Sequence, residues 1–452
     1  MLKRTSRVGK VLIALILVAS IFAVTGCGGK PKLKGKKVII ASWSGAYNVD
    51  TYEPRHEEEA NTLEYRRKML ADNGLHMEVV ELSGWDDYFQ NVVNNIMSGN
   101  KEYGIYCVAA EWAVTLYKQG LLFPLSDSSV KLDNRVAVAY EKTAYNKMME
   151  DLFTLNGKRY GVFPGEGGDS WHGIFVHWNK RLFREAGLDP DLPFNLQRDG
   201  LWTWDAFYEI AKQVTRDINN NGITDVYGLA CDDARELLTA LVIGNNGNWV
   251  NIENGKYTNG TTKPEFLEAM AFYQRLINEG LMKTRPPNPA WDWEYTEFVD
   301  GRIAMVFGAE WRAWTSQGMD DDWGAVLPPK GPRATSYRMA TDEMIYVVPS
   351  FFSKAEVDTI LSAFDLWNVP TDTDWKQGYY AAYRDRRSVD ETMALTKTAG
   401  NTGFKNYTMV PGYPMGDLIM DQGVNWWEAG TPSQIAESWA PRLQSVLDDA
   451  NR

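Results

Sequence analysis

The sequence has few of the residues that form reactive or metal-binding centres. Its 452 residues include three cysteines and four histidines. Only Cys107 and Cys231 lie in the body of the chain, which is too few for a fold held together by disulfides. They form either one bridge or two separate buried thiols, and both states fit the sequence. The motifs H-E-x-x-H and G-x-S-x-G and the Walker lysine motif are also absent, so the sequence indicates no enzyme class.

The sequence also has no apolar run of the roughly 20 residues that a membrane-spanning helix needs. The shorter run from Val11 to Val24 follows the basic start MLKRTSRVGK and precedes small residues and Cys27. This order is typical of an export signal. An ordinary signal peptide with an incidental cysteine is an alternative. However, the small residues resemble a bacterial lipobox, and GCGGKPKLKGKK can act as a flexible tether.

We therefore expect residues 1–26 to be a lipoprotein signal peptide and residues 27–36 to be the tether. Cys27 would then carry the lipid, palmitate included, that anchors the exported protein to the outer face of the cytoplasmic membrane.

Basic residues are outnumbered by acidic ones. There are 47 Lys and Arg against 59 Asp and Glu, which gives a formal net charge of −12. Removal of the four basic residues of the signal changes this to −12 − 4 = −16. Because nucleic-acid-binding proteins present basic faces, we expect no nucleic-acid partner. The length of the mature chain predicts about two domains.

Aromatic residues, in contrast, are abundant. The chain contains 18 Trp and 22 Tyr. Tryptophan offers a broad apolar face with one polar atom, which suits stacking on the C–H face of a sugar ring. Many of these side chains will lie in the core, and the rest favour a surface that faces carbohydrate.

The order of apolar and amphipathic segments predicts an α/β fold. Strands alternate with helices, which indicates a mostly parallel sheet covered by helices on both faces. The predicted segments are strands at 38–41, 76–82 and 103–109 and helices at 55–72 and 85–97. Ligands of such sheets bind beyond the carboxyl ends of the strands. Trp43, Glu111 and Trp112 are therefore expected near one rim of the sheet.

Five segments resemble, in the family's order, the family 1 extracellular solute-binding proteins. These are the sugar-capturing subunits of bacterial ABC importers, of which the maltose-binding proteins are examples. The segments are KQGLLFPLSD (118–127), NGKRYGVFP (156–164), WNKRLFREAGL (178–188), TWD (203–205) and FVDGRIAM (298–305). Trp178 replaces the tyrosine that is usual in the third segment. Together the segments span nearly the whole mature chain.

The resemblance implies a two-lobed, periplasmic-binding-protein-like fold of type II. A ligand cleft would lie between the lobes, which are joined by a hinge that the chain crosses several times. Lobe 1 would comprise 37–165 and about 341–400, and lobe 2 would comprise 166–340 and about 401–452. The resemblance further implies a monomer that closes on a carbohydrate and delivers it to permease subunits served by a separate ATPase. We expect an oligosaccharide, because candidate aromatic residues occur in both lobes.

Two other functions fit parts of the sequence. A secreted glycosidase would need two carboxylates about 5–10 Å apart across the scissile bond. An acidic chain can supply such a pair, but no catalytic motif supports this function, and we expect no enzyme. A tethered sugar sensor or adhesion protein would share every feature except the permease partner.

Eight residues at strand ends and crossovers are candidate ligand contacts. They are Trp43, Glu111, Trp112, Trp171, Trp311, Asp342, Glu343 and Tyr413. The resemblance implies that Trp311 stacks on a sugar, although large aromatic residues also serve packing. Glu111 can accept a sugar hydroxyl or cap its helix. Asp342 and Glu343 can also accept a sugar hydroxyl, or they can pair with Arg338.

The segment DINNNGITDVYG, residues 217–228, has the pattern of an EF-hand calcium loop without its final glutamate. The ligands would be Asp217, Asn219, Asn221, the carbonyl of Ile223 and Asp225, with Gly222 at the turn. The resemblance implies that a carboxylate from elsewhere completes such a loop, with Asp232, Asp233 and Glu236 as possible donors. We expect structural Ca²⁺ here and no catalytic cofactor. A polar turn without metal is the alternative.

Overall fold

The computed structural model describes most of the chain after residue 35. The described residues are 36–43, 54, 57–132, 151–162, 171–230, 234–290, 292–368, 376–396, 398, 400–415, 418–419 and 425–452. The predicted signal peptide 1–26 and the lipidation site Cys27 lie outside them. So do Cys231 and two possible calcium ligands, Asp232 and Asp233.

The strands of the described residues form one large sheet and two short hairpins. They are β1 (Lys36–Ser42), β2 (Leu75–Glu81), β3 (Ile105–Ala109), β4 (Thr154–Leu155), β5 (Lys158–Arg159), β6 (Trp171–Asn179), β7 (Tyr227–Ala230), β8 (Val250–Glu253), β9 (Lys256–Asn259), β10 (Met282–Lys283), β11 (Ile303–Ala309), β12 (Trp323–Val326), β13 (Met339–Val347) and β14 (Thr402–Phe404). The sheet has the order β10-β7-β11-β6-β13-β3-β1-β2, with β12 paired to β6 and β14 to β13. The hairpins are β4-β5 and β8-β9.

Helices cover this sheet. The described α-helices are α1 (Glu57–Asp72), α2 (Trp85–Met97), α3 (Ala110–Lys118), α4 (Lys180–Glu185), α5 (Leu192–Arg198), α6 (Trp204–Val214), α7 (Ala234–Gly244), α8 (Pro264–Asn278), α9 (Trp293–Val299), α10 (Arg312–Thr315), α11 (Lys354–Trp367), α12 (Lys376–Ala382), α13 (Ala394–Thr396) and α14 (Pro432–Ala450). Short 3₁₀ turns occur at Leu125–Asp127, Asn406–Met409 and Trp426–Glu428, and a π-helix at Ser388–Met393. A search of the described helices for one that could cross a membrane finds none.

The first lobe confirms the α/β pattern predicted from the sequence. Strand β1 pairs in parallel with both β2 and β3. Helix α2 buries Tyr88, Val92 and Ile96, which are spaced four residues apart and so lie on one face of the helix. Helix α11 packs on α1 and β2. The apolar runs of the three strands therefore lie between two layers of helices.

The second lobe contains much of the tryptophan in its core. Strand β6 runs antiparallel to β11 and β12, and β7 pairs in parallel with β11 and β10. Trp178, Trp202, Trp249 and Trp323 are fully buried around this half of the sheet. Thr203 caps α6 by accepting a hydrogen bond from the amide of Ala206 (3.3 Å). Most tryptophans of this lobe thus serve packing rather than ligand contact.

The long strands β6 and β13 join the two lobes. Residues 171–173 of β6 pair with 341–343 of β13, whereas 174–178 of β6 pair with β11. The other end of β13, residues 344–347, pairs with β3 of the first lobe. The sheet is therefore continuous through the crossing, which agrees with the predicted type II fold and its multi-crossover hinge.

Residues 376–396 make polar contacts with a different lobe from the one to which the sequence assigns them. The sequence assigns them to lobe 1, but their polar contacts are with the second lobe. Gln197 donates to the hydroxyl of Thr392 (2.8 Å), and the amide of Ala325 donates to that of Ser388 (2.9 Å). Lys180 pairs with Asp385 as well. Residues 385–392 thus pack on the second lobe, and the periodicity of the segment does not indicate this.

Candidate functional site

The site lies where the carboxyl ends of strands from both lobes face the crossing of β6 and β13. Ala109, at the end of β3, pairs with Met344 of β13. Ala309, at the end of β11, pairs with Ile174 of β6. These two rims are separated by about three residues of the crossing strands, or roughly 10 Å at 3.3 Å per residue. Residues that follow β3 and β11 therefore stand on opposite sides of one cleft.

Three indoles form the first-lobe side of the cleft, which we call the aromatic face: Trp43, Trp85 and Trp112. The ring centroids of Trp43 and Trp85 are 5.5 Å apart at an interplanar angle of 84°, and those of Trp85 and Trp112 are 4.7 Å apart. Phe89 stacks behind Trp112 at 5.2 Å and 12°. Each indole follows a different strand, β1, β2 or β3. The structure thus brings the predicted Trp43 and Trp112 together.

Trp85 is the member of this face that the sequence analysis missed. It is the first residue of α2 and directly follows the turn after β2. The rule that selected Trp43 and Trp112, an aromatic residue just beyond the carboxyl end of a strand, applies to it equally. The signal was therefore present in the sequence. Trp85 is also 47% exposed, whereas Trp43 and Trp112 are partly buried.

Glu111 lies beside the aromatic face in the first turn of α3. The N-cap of α3 is Ala109, and the helix has no side-chain cap. Glu111 is exposed, so its carboxylate sits at the helix N-terminus, where the helix dipole stabilises a negative charge. Glu111 therefore does not cap the helix, and its contact with a ligand stays a prediction.

The second-lobe side of the cleft is built around an arginine. We call it the arginine face: Trp311, Arg312, Asp292, Glu294 and Tyr295. The guanidinium carbon of Arg312 lies 4.2 Å from the centroid of the Trp311 indole and 5.0 Å from that of the Tyr295 ring. Arg312 also forms an ion pair with Asp292, and its Nη2 lies 3.9 Å from Glu294 Oε1. Since Arg312 and Glu294 expose only 11% and 3% of their side chains, these charges are largely shielded from water.

The backbone around this face is tightly determined. Asp292 has φ +65°, in the left-handed region that non-glycine residues rarely adopt, and it precedes α9 as its N-cap. A side chain at Gly308 would meet the Tyr295 hydroxyl at 2.5 Å, so only glycine fits at that point of β11. The amide of Glu310 donates to the carbonyl of Gly173 (3.0 Å) in β6. Trp311 is therefore fixed relative to the hinge strand.

A buried histidine supports the arginine face from below. The Nδ1 atom of His177 and the hydroxyl of Tyr295 are 3.0 Å apart and share a hydrogen bond. Burial, together with the positive charge of Arg312, lowers the pKa of His177 to about 3. The imidazole is therefore neutral at physiological pH, and the support of Tyr295 does not change between pH 5 and 8.

The remaining predicted contacts lie at the crossing or away from it. The backbone of Trp171 pairs with that of Glu343, and Asp342 pairs with His172, so all three predicted residues lie on the hinge. The side chains of Trp171, Asp342 and Glu343 lie outside the described part of the structure. Tyr413 packs on Tyr407 with ring centroids 5.8 Å apart, and burial raises the pKa of its phenol well above the usual range.

Comparison with known families decides what kind of protein has this cleft. The profile of a family described as bacterial extracellular solute-binding protein matches residues 64–405. The chain belongs to that family. The match covers the aromatic face from Trp85 onward, the arginine face and both hinge strands. No curated protein matches the chain.

Solved structures show the fold of this solute-binding protein. UgpB of Mycobacterium tuberculosis in complex with glycerophosphocholine has 16% identity and a TM-score of 0.64, over 92% of this chain and 99% of that chain. The sugar-binding protein MalE of Xanthomonas citri has 12% identity and a TM-score of 0.63, over 92% and 98%. Lmo0181 of Listeria monocytogenes in complex with cycloalternan has 17% identity and a TM-score of 0.59, over 92% and 98%.

The predicted calcium loop of this solute-binding protein lies between α6 and β7, outside the cleft. The carboxylate of Asp217 accepts hydrogen bonds from the amides of Asn221 (3.2 Å) and Gly222 (2.6 Å). Asn221 Oδ1 accepts from the amide of Ile223 (2.7 Å), and Asp225 accepts from that of Ile218 (2.8 Å). Gly222 has φ +85°, as the turn requires. The loop therefore curls around its own side-chain oxygens.

The fold limits which residues could supply a further metal ligand to this loop. Glu236, one predicted donor, lies in the first turn of α7, after β7. Four residues of extended strand, about 13 Å, separate the two ends of β7. Glu236 is therefore at the opposite end of the strand from Asp217. Within the described residues, no group of three or more His, Cys, Asp or Glu side chains is placed to hold a metal. A metal in this loop would depend mainly on Asp217 and Asp225, with amide and carbonyl oxygens.

Proposed function

We propose that this solute-binding protein captures a carbohydrate, an oligosaccharide rather than a monosaccharide, and delivers it to the permease subunits of an ABC importer. One observation carries the proposal. Exposed or partly exposed indoles stand on both sides of one cleft, Trp43, Trp85 and Trp112 on the first lobe and Trp311 on the second. Such faces suit the apolar C–H faces of sugar rings.

The polar groups around the indoles suit sugar hydroxyls. Glu111 presents an exposed carboxylate beside Trp112. On the opposite side, Glu310 Oε2 accepts from the amide of Gly173 (3.2 Å), and a carboxylate has further lone pairs for other donors. Carboxylates accept hydrogen bonds from hydroxyl groups without needing a change in charge. A neutral polyol therefore finds both stacking and acceptor groups here.

A quaternary ammonium ligand fits this arrangement less well. Such ligands are held in cages of aromatic rings that surround the cation. In the aromatic face, the Trp85 ring contacts both Trp43 (5.5 Å) and Trp112 (4.7 Å), so there is no space for a cation between the paired rings, and the side of Trp85 that is exposed forms the binding surface. A surface of this kind receives the flat face of a ring. This argument favours sugar over the glycerophosphocholine found in UgpB.

Capture would involve closure of the lobes about β6 and β13. Domain closure around a ligand commonly uses a few residues at element ends as hinges. In this protein the two faces are attached to the same crossing, so rotation there brings Trp112 and Trp311 toward each other. A ligand that touches both faces stabilises the closed form, and the permease would recognise that form.

The experiment is a thermal-shift screen of the purified protein. The panel contains malto-, cello-, xylo- and manno-oligosaccharides, with glycerophosphocholine as the competing ligand class. We expect at least one oligosaccharide series to raise Tm, and titration calorimetry to confirm one-to-one binding without new reducing ends. A Tm shift by glycerophosphocholine alone would refute the carbohydrate proposal. Uptake of the bound sugar by cells with and without the neighbouring permease genes tests delivery and separates an importer from a sensor.

Lipid anchoring on Cys27 is part of the same proposal. It is supported by the small residues before Cys27 and the polar tether after it. We expect labelled palmitate to be incorporated into the wild-type protein and not into Cys27→Ser, with the variant released into the medium. Equal labelling of both proteins would contradict the anchor.

We further propose that the 217–225 loop binds structural Ca²⁺. The support is the arrangement of its oxygen-bearing side chains. The carboxylate of Asp217 accepts hydrogen bonds from two backbone amides of the loop, as the first ligand of a calcium loop does. With two carboxylates and two amides, the affinity would suit the millimolar calcium of an extracellular medium. Its test is given with the predictions below.

A further inference from the structure

We propose that Trp85 is an outer subsite, a platform for a sugar ring beyond those held between Trp112 and Trp311. The inference rests on the proposed carbohydrate function and adds to it the direction in which the ligand extends. The subsite would take a neutral sugar unit of an oligosaccharide and would have little effect on short ligands.

The position of Trp85 in the sheet supports an outer subsite. From the crossing outward, the strands of the first lobe are β13, β3, β1 and β2. Trp112 follows β3, Trp43 follows β1 and Trp85 follows the edge strand β2. Two strand spacings, about 10 Å, separate β3 from β2. The aromatic face therefore extends from the base of the cleft toward the margin of the lobe. The Trp85 indole contacts both other indoles and is the most exposed of the three, so a ring stacked on it lies on the solvent side of the face.

The exposure of Trp85 also supports an outer subsite. The other large side chains of the first lobe are mostly buried, and Trp85 is the one tryptophan among the described residues that is counted as exposed, at 47%. Its indole is held in place by neighbouring rings. The ring centroid of Trp85 lies 5.5 Å from that of Trp43, at an interplanar angle of 84°, and 4.7 Å from that of Trp112, which in turn stacks on Phe89. A fixed aromatic surface binds without the cost of ordering a side chain. The exposed face of Trp85 is thus already in place for a ligand.

The groups beside Trp85 define the ligand class. Asp86 and Asp87 follow it in the first turn of α2, and both are exposed. They offer acceptors for hydroxyl groups at the edge of a ring that stacks on Trp85 and repel an anionic sugar. The subsite therefore favours neutral sugars over uronic acids.

Tyr65 provides a matched control on the same lobe. It is also an exposed aromatic residue, at 42%, but it lies in α1, which packs on α11 and not at the strand ends. Removal of Tyr65 takes away a similar exposed surface without touching the aromatic face. Trp85→Phe is the conservative variant, because it keeps an aromatic face at the same position.

The experiment measures Kd by calorimetry for the disaccharide, trisaccharide and tetrasaccharide of the series that binds wild type most tightly among the malto-, cello-, xylo- and manno-oligosaccharides. For Trp85→Ala we expect Kd for the tetrasaccharide to rise about threefold to tenfold, the range for one aromatic stacking contact. Kd for the disaccharide should rise by a clearly smaller factor, so that the effect of the substitution grows with the length of the ligand. Trp85→Phe should recover most of the loss, and Tyr65→Ala should match wild type at every length.

Two outcomes overturn the inference without refuting the proposed function. Equal weakening of short and long ligands would place Trp85 in the inner site or in the fold, and the Tm of the unliganded variant would identify the second case. Unchanged binding at all lengths would remove Trp85 from the site, while the proposed function would stand on the wild-type affinities. Failure of every oligosaccharide to bind wild type would instead refute the proposed function and the subsite with it.

Discussion

The two sides of the cleft hold their tryptophan side chains in place by different interactions. On the aromatic face, Trp43, Trp85 and Trp112 support one another through ring contacts at 4.7–5.5 Å. On the arginine face, Trp311 rests on Arg312, whose charge is balanced by Asp292 and lies near Glu294. The first arrangement depends on many small dispersion contacts and the second on a few buried charges.

This difference teaches how the site divides its tasks. Ring contacts are individually weak and adaptable, so the aromatic face supplies contact area with little preference for the orientation of hydroxyl groups. Buried ion pairs hold one geometry, and removal of one partner is costly. The arginine face is therefore the rigid side, and we expect it to determine which sugar is accepted. The predictions below test this division, starting with the largest effect.

Arg312→Met should have the largest effect on the fold. The substitution keeps much of the side-chain volume but leaves Asp292 and Glu294 buried without their positive neighbour. Loss of one partner of a buried ion pair costs about 3–5 kcal/mol of unfolding free energy. Urea denaturation with linear extrapolation measures this loss. Arg333→Met is the control, because Arg333 pairs with Glu268 at the surface and its removal should matter little. Equal losses in both variants would contradict a buried ion pair at Arg312 that stabilises the arginine face.

Trp311→Ala should have the largest effect on binding. We expect Kd for the best-binding oligosaccharide to rise about tenfold to hundredfold, or roughly 1.4–2.7 kcal/mol, because a central aromatic contact is lost. Arg312 keeps its pair with Asp292, so Tm of the unliganded protein should fall far less than in Arg312→Met. Calorimetry and thermal unfolding measure the two quantities. An unchanged Kd would reject Trp311 as a sugar platform and make the aromatic face the main site.

Acid should lower the stability of the whole protein through His177, the buried residue that supports the arginine face. Because the pKa of His177 is lowered to about 3 in the folded protein, the unfolded chain binds a proton at this residue more readily, near pH 6.5. His177 therefore contributes a loss of stability as pH falls from about 6.5 toward 3, with a slope of up to about 1.4 kcal/mol per pH unit. We expect His177→Gln to show a shallower pH dependence of unfolding free energy than wild type over pH 4–6.5. Parallel curves would contradict a neutral, buried imidazole.

Calcium removal should have the smallest effect and should spare both faces. If the 217–225 loop binds Ca²⁺, a chelator should lower Tm by a few degrees, at roughly 2–4 °C for each kcal/mol, and added calcium should restore it. Asp217→Asn should lose this response, whereas Asp322→Asn, a change at a well exposed carboxylate, should keep it. Oligosaccharide Kd should be unchanged, since the loop lies outside the cleft. A Tm unaffected by chelation would leave the loop as a polar turn.

Part of this site can be predicted from sequence, because strand ends are local features. Trp43 and Trp112 follow apolar strands, and their meeting at one rim follows from a parallel sheet. Trp85 obeys the same rule, so its omission was avoidable. The α/β pattern and the family resemblance likewise come from local segments, and both are confirmed.

The arginine face could not be predicted in this way. Asp292 and Arg312 belong to different elements, and His177 meets Tyr295 across 118 residues of sequence. Nothing in the spacing of these residues indicates that they share one buried network. The same holds for residues 376–396, because helical periodicity shows that a face is buried but not which lobe buries it.

The shared strand β13 has a consequence for the modularity of the protein. One half of it belongs to the sheet of the first lobe through β3, and the other half pairs with β6 and β14. Neither lobe contains a complete sheet. A gene fragment that encodes one lobe would therefore encode a strand without its hydrogen-bonded partner. Engineering by exchange of whole lobes between relatives would therefore have to cut through a hydrogen-bonded ladder, and exchange of the rim segments alone is the route that leaves the scaffold intact.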